Sequence, residues 1–320
     1  MFRIDDPSAA TSLPAPEAAG TEGYWTEGNP ASGTPATLER ASWFNMIQEE
    51  LCSILAAAGI TRAKTSYNQV NAALQKMYAP IAGAARNLSA LLAAQGASVA
   101  FTADELVIKT ALGGQSFVVG SFNKTVNLSG SGIGGVVGTT PAVNGFAAIY
   151  AAYGLVAGAG IFATDASAAK APEIYAGSLP SGYTASQLIG IAPMSATAGQ
   201  FAPFSQTDRR VGVITSNIVT GSTFTGSGYF SSTLIPFNAR FVGGGVQLGN
   251  ASGSAVSSIS VTMADGPIGG QTPVSQTVPI ASSIAAGFRV AVTLAQNLYR
   301  IVSASGGTPS HNITISYFEF

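Results

Sequence analysis

The strongest constraint on this fold is a row of short apolar runs in the last third of the chain, at residues 211–218, 224–232, 240–247, 255–263, 274–280, 288–294, 298–303 and 313–320. Each has strand length, most are bounded by Gly, Asn, Pro or Ser, and the period fits half-buried strands rather than helices. Eight such strands joined by short connections are expected to form an antiparallel β-sandwich. The last run alternates so strictly that Ile313, Ile315, Tyr317 and Glu319 are expected on one face, with Thr314, Ser316, Phe318 and Phe320 on the other.

Upstream, strand patterns occupy 99–101, 106–109, 116–119, 125–128, 145–153, 159–164 and 188–193, preceded by an Ala/Leu-rich stretch at 84–95 with helical character. The uncharged segment GFAAIYAAYGLVAGAGIFAT at 145–164 is long enough to cross a bilayer. Its glycines, its interior Tyr150 and Tyr153 and its alternation argue instead for a buried β-hairpin turning at 154–158. The chain is therefore expected to be mainly β, with a small α-helical N-terminal region.

That region begins with a leader punctuated by Gly28-Asn29-Pro30 and Gly33-Thr34-Pro35, and each proline pushes the residue before it out of helical geometry. A helix can start only after Pro35, with Thr37 as its expected N-cap. Trp43, Ile47, Leu51, Ile54, Leu55 and Ala58 then recur on one face, Glu39, Arg40, Gln48, Glu49 and Cys52 on the other, and Gly59 is the expected stop. Ser66-Tyr67-Asn68-Gln69 fits a capping box for a second helix carrying Val70, Leu74 and Met77, ended before Pro80. A two-helix hairpin buries little apolar surface alone, so residues 1–85 read as a docking module. Residues 86–210 read as a β-rich shaft or spike, and 211–320 as the sandwich, with the boundary near Asp208-Arg209-Arg210, beyond which charge almost vanishes.

Only 9% of the residues are charged, against roughly 25% in average proteins. Eight acidic residues against two basic ones give the first fifty residues a net charge of −6. Nowhere do Lys and Arg cluster as phosphate binding requires, which argues against a nucleic-acid partner. Cys52 is the single cysteine, so no internal disulfide framework exists, and the opening residues lack the pattern of a secretory signal.

Catalytic chemistry has little material. Gly130-Ser-Gly-Ile-Gly-Gly135 satisfies G-x-G-x-x-G, but no helix pattern follows it and no acidic residue lies about twenty positions on, so it reads as a β-turn. His311 is the single histidine, which leaves triads and multi-histidine metal sites without members. Paired carboxylates could still hydrolyse glycosides, and Asp104, Glu105, Glu173 and Asp208 are the candidates, although spacing brings no two of them together. No cofactor, metal or enzymatic activity is expected. Aromatic residues between the sandwich strands, Tyr229, Phe230, Phe237 and Phe241 with Arg240 among them, are the candidates for stacking on sugar rings or an apolar protein patch.

EGNPASGTPAT followed by WFNMIQEELCSILAAAGI resembles the N-terminal module of tail fibre proteins of tailed bacteriophages and prophages. FTADELVIKTALGGQSFVVGSFNKTVNLSGSGIGG, GFAAIYAAY, APEIYAGSLPSGYTASQLIGIAP and GQFAPFSQTDRRV follow in the same order, so the resemblance runs over roughly residues 20–212. It implies a homotrimeric, non-enzymatic virion component assembled in the cytoplasm of its bacterial host, without membrane insertion. Its N-terminus would attach to tail-tip or baseplate proteins, and its C-terminal β domain would bind a host surface receptor, glycan or protein. The attachment face would hold Trp25, Trp43, Ile47, Leu51 and Ile54. Two other readings of the residues stay open, a surface-polysaccharide depolymerase and a purely structural tail connector. One departure stands out: similar fibres carry a polar turn where this chain has Leu155-Val156-Ala157, an apolar turn expected against another subunit.

Overall fold

A computed structural model describes residues 2–78, 80–250, 257–278, 283–305 and 309–320. It divides into two compact units, Met1–Ala79 with Gly113–Ser116, and Pro80–Leu112 with Phe117–Phe320. Residues 255–256 and 279–280 of the expected strands lie outside the described residues.

In the first unit the leader folds back on itself. Asn29 and Thr34 exchange backbone hydrogen bonds of 2.8 and 3.0 Å around a 3-10 turn, Pro30–Ser32. Gly28 has φ +72° and lies so close to Thr34 that a Cβ would sit 2.5 Å from its carbonyl oxygen, so only glycine fits. Thr37 belongs to this loop rather than to the helix: its Oγ1 accepts the Thr26 N–H at 3.0 Å and its own N–H donates to Thr26 O. Helix α1 (Ala41–Ala57) therefore starts later than expected, after Arg40, which supplies no side-chain cap. Its end is as expected: Gly59, φ +63°, donates to Ala56 O and Ile60 to Leu55 O, a Schellman ending.

Helix α2 (Gln69–Met77) follows, and the expected capping box does not form. Ser66 Oγ bonds Asn68 Oδ1, while Gln69 turns inward to donate to Thr61 O and accept from the Ala63 N–H, pinning the interhelical loop. Leu55, Ala58 and Ala73 pack with Ile54, Ile60 and Val70. Cys52, expected on the wet side, is buried. The contact with α2 falls on Ile54, Leu55 and Ala58 at the end of α1 rather than on the large residues at 43 and 47.

The second unit is β throughout. Residues 84–95 form β1 (Ala85–Arg86) and β2 (Ser89–Leu92) instead of a helix. Asn87 adopts φ +53°, and Leu88 and Ala90 alternate into the core, so strand pairing overrides the helical preference of Ala and Leu. The runs at 99–101 and 106–109 fuse into β3 (Ser98–Lys109), with Asp104 and Glu105 exposed mid-strand. Those at 116–119 and 125–128 likewise fuse into β4 (Ser116–Asn127).

The uncharged 145–164 segment is the hairpin of β5 (Phe146–Gly154) and β6 (Gly158–Asp165), with β5 also paired to β7 (Ala185–Pro193). β5 is buried almost without interruption, which explains a run lacking polar alternation. Tyr150 stacks on Phe162 at 5.3 Å, and its hydroxyl donates to Pro172 O at 2.6 Å. The glycine-rich loop at 130–137 lies along β6, where Gly134 donates to Ile161 O and Val137 to Ala163 O, covering what would be an open sheet edge.

β8 (Phe204–Thr207) and β9 (Arg210–Ser222) form a hairpin whose turn holds Asp208, φ +50°. The expected boundary at 208–210 thus falls in a turn, and one sheet is continuous across it. Beyond come β10 (Gly226–Ser231), β11 (Phe241–Asn250), β12 (Ser257–Gly266), β13 (Gly269–Val278), β14 (Ser283–Ala291), β15 (Asn297–Ala304) and β16 (Pro309–Glu319). The larger sheet runs β14-β11-β16-β9-β8-β2-β3-β7-β5-β6, with β1 and β4 also paired to β3; the smaller runs β10-β15-β12-β13. The last eight strands form the expected antiparallel sandwich, with Val242, Val246, Ile313 and Ile315 of one sheet in a common core with Val261, Met263, Leu298 and Val302 of the other.

The face assignment of the last strand is corrected by a β-bulge. Gly243 pairs with Tyr317 and Gly244 with Ile315, so Ser316 has no partner on β11. The extra residue shifts the alternation by one. Ile313 and Ile315 are buried before it, Phe318 and Phe320 after it, and Tyr317 and Glu319 are turned outward.

Candidate functional site

Two surfaces collect the candidate residues. The first belongs to the N-terminal unit. The first half of α1 carries Trp43, Phe44, Met46 and Ile47, all exposed, so this part of the helix presents a broad uncovered apolar face. Trp25 from the leader meets Trp43 edge to face at 5.2 Å, and Trp43 meets Phe44 at 5.4 Å. Both indoles remain open, at 49% and 40% exposure. Leader and helix enclose a groove of 720 Å³, lined by Tyr24, Trp25, Leu38, Trp43 and Met46 among others. Ile47 lines a different hollow with Phe2, Ile4 and Phe44. Leu51 and Ile54 are half-buried, Ile54 against the α2 contact. Of the five expected attachment residues, Trp25 and Trp43 thus meet in one groove while the others lie on neighbouring parts of the same helix.

Ion pairs fasten the chain's opening residues to this helix hairpin. Arg3 holds Glu49 through two hydrogen bonds of 2.6 and 2.5 Å, Lys64 holds Asp5 at 2.7 Å, and Arg40 approaches Glu17 at 3.5 Å while Ser42 Oγ donates to Glu17 at 2.9 Å. The Arg3 hydrogen bonds hold the Glu49 carboxyl below its ordinary range. These pairs are solvent-exposed, so they orient the segment more than they stabilise it.

The second surface is the outer side of β14-β11-β16-β9. The Arg210 guanidinium lies 3.5 Å over the Tyr317 ring. Next to Tyr317 stands Gly243, where an added Cβ would lie 2.1 Å from the ring. Arg289 forms a forked pair with Glu319, 2.6 and 3.2 Å, and covers the Phe241 ring at 3.8 Å. The hydrogen bonds from Arg289 lower the Glu319 carboxyl. Sequence reasoning missed this charged and aromatic row because the bulge that turns Tyr317 and Glu319 outward leaves no mark in the residue pattern.

No hydrogen bond or ring contact among the described residues joins Tyr229, Phe230, Phe237 and Arg240 to one another. Tyr229 and Phe230 are adjacent on β10 and point to opposite faces. Tyr229 is outward, edge-on to Tyr299 at 4.9 Å, with its hydroxyl 3.4 Å from Thr293 Oγ1. Phe230 packs on the core beneath Arg300, 5.1 Å away. Phe237 is half-buried and Arg240 exposed in the 232–240 connection. Arg300 reaches across the sandwich to His311 Nε2 at 2.8 Å. His311 is buried, and that burial, together with the facing guanidinium, pushes its pKa down to about 4. Its Nδ1 has no hydrogen-bond partner among the described residues.

Three of the four carboxylates weighed for hydrolysis have hydrogen-bond partners, and Glu105 is exposed on β3. Glu173 receives Arg209 at 2.7 and 2.6 Å and Gln187 at 2.9 Å. Asp208 accepts the Leu88 N–H at 3.3 Å, and Asp104 accepts from Asn87 at 2.6 Å. No described helix is long and apolar enough to cross a membrane.

No protein-family model matches the chain. A segment of 77 residues is 40% identical to the uncharacterized protein StfP of Escherichia coli K12, covering 24% of this chain and 35% of that protein. A segment of 78 residues is 36% identical to the Mu-like prophage FluMu defective tail fiber protein of Haemophilus influenzae Rd, covering 24% of this chain and 12% of that protein. A solved structure of the T13 IBDV viral particle aligns over 74% of this chain at 11% identity, but its TM-score of 0.21 carries no argument about fold. The chain thus spans well under half the length of the curated relatives it matches. The prophage match bears out the resemblance to phage tail fibre proteins.

Proposed function

We propose that this chain is a tail fibre component of a phage virion. Its N-terminal unit attaches to tail-tip or baseplate proteins, and its sandwich binds a receptor on the bacterial surface without catalysis. The observation that carries the reading is the segment shared with a prophage tail fiber protein. The architecture supports it: a docking-sized helix hairpin with open indoles precedes a charge-poor β unit with a composite outer face. In a homotrimer, neutral Ser/Thr faces such as the Ser260–Ser303 and Thr215–Ser316 hydroxyl pairs could meet without burying unpaired charges. Three copies would also let weak receptor contacts add.

Competition tests the receptor role. Purified full-length chain added in excess should bind host cells and reduce phage adsorption. A chain that neither binds the cells nor competes would leave the connector reading, and new reducing ends released from purified host polysaccharide would establish the depolymerase.

A further inference from the structure

We infer that the groove between leader and α1 receives a basic, apolar-anchored segment of the protein to which the N-terminal unit attaches. This rests on the attachment reading and names the partner's chemistry. The groove floor offers an aromatic and aliphatic surface: Tyr24 and Leu38 are almost fully exposed, and Trp25, Trp43 and Met46 are about half exposed. Exposed apolar surface with aromatic anchors and a polar rim marks a protein-binding site. At 720 Å³ the space takes a few side chains, on the scale of a ligand pocket.

Charge selects the occupant. The carboxylates of Asp5, Glu17 and Glu49 are matched by Lys64, Arg40 and Arg3. Asp6 accepts from Ser8. Glu22, Glu27, Glu39 and Glu50 stand exposed outside these pairs. Glu22 and Glu39 adjoin the groove-lining residues Gly23 and Leu38, and Glu50 adjoins Glu49. The one cation in the lining, Arg40, faces Glu17. The lining itself holds two carboxylates, Glu17 and Glu49, against one cation, and the segment that forms the groove is strongly acidic, so an incoming lysine or arginine is attracted to it and an acidic segment meets like charge. Such a rim governs specificity and association rate, with the anchors supplying affinity.

The chain has two tryptophans, Trp25 and Trp43, and both line this groove, so selectively excited tryptophan fluorescence reads this site alone. Full-length chain is titrated with two synthetic amphipathic peptides that share one Leu/Phe pattern and carry either Lys or Glu at the polar positions. The Lys peptide should produce a saturable blue shift that weakens with added salt, and the Glu peptide should not. The Glu22→Gln, Glu27→Gln, Glu39→Gln, Glu50→Gln variant, altered only at exposed positions, should bind the Lys peptide about tenfold more weakly. Equal responses to both peptides, no response to either, or an unchanged variant would overturn the inference. A blue shift that grows with chain concentration in the absence of peptide would assign the groove to a second copy and overturn it too. The attachment reading is separable: if full-length Trp43→Asp fails to join particles while the four-Gln variant joins normally, attachment stands and the basic partner falls.

Discussion

The guanidinium of Arg210 lies 3.5 Å over the ring of Tyr317, two residues 107 positions apart that meet because an unpaired Ser316 turns the last strand over by one residue. Without that bulge Tyr317 would share a side with Ile315, in the core. Gly243 clears the space beside the ring, so the outer face of the sheet depends on one inserted residue and one missing Cβ.

Gly243→Ala should destabilise the sandwich by about 1–3 kcal/mol, since the new methyl must displace the Tyr317 ring. Urea unfolding measures it. In the double variant with Tyr317→Ala most of that cost should vanish, because the colliding ring is gone.

His311 ties stability to pH. Burial and Arg300 hold its pKa at about 4 in the folded chain, against about 6.5 when unfolded. The unfolded chain therefore takes up a proton first on acidification, and stability should fall as pH drops from about 6.5 towards 4, by on the order of 2–3 kcal/mol. Carboxylates with lowered pKa values, such as Glu319, begin to lose their contribution only near their unfolded value of 4.5, at the foot of this window. Urea midpoints followed from pH 7 down to 4.5 should slope downward in the parent and flatten in His311→Leu, set against its own value at pH 7.

Cys52 is buried on α1. Cys52→Ser should destabilise the helix hairpin by about 1–3 kcal/mol through an unsatisfied buried hydroxyl, and Cys52→Ala by less. In the folded parent a thiol reagent should react far more slowly than in urea, and fast labelling in both would place Cys52 on the surface instead.

Leu155 and Val156 stand fully or nearly fully exposed at the β5–β6 turn. In the trimeric reading another copy covers them. Leu155→Asp with Val156→Asp should then shift sedimentation towards the monomer while the circular dichroism is retained.

Much of this was legible in the residues. The sandwich strands, the central hairpin and the glycine stop of α1 follow from period and turn chemistry alone. What escaped was decided by tertiary pairing. Residues 84–95 have helical composition but lie beside strand edges that claim their backbone groups. Thr37 is a good cap residue, yet Thr26 engages it first. Cys52 reads as part of the wet side by position, yet it is buried. The apolar face of α1 around Trp43 and Ile47 was visible because large apolar residues recur there at helical spacing. The Arg210, Tyr317, Arg289 and Glu319 row was not, since a bulge moves residues between faces without changing their order.

The most direct test of the central claim is electron microscopy of phage particles whose chain carries a label after Phe320. The account expects the label on fibres projecting from the tail. Label confined within the tail body, or particles that assemble without this chain, would contradict it.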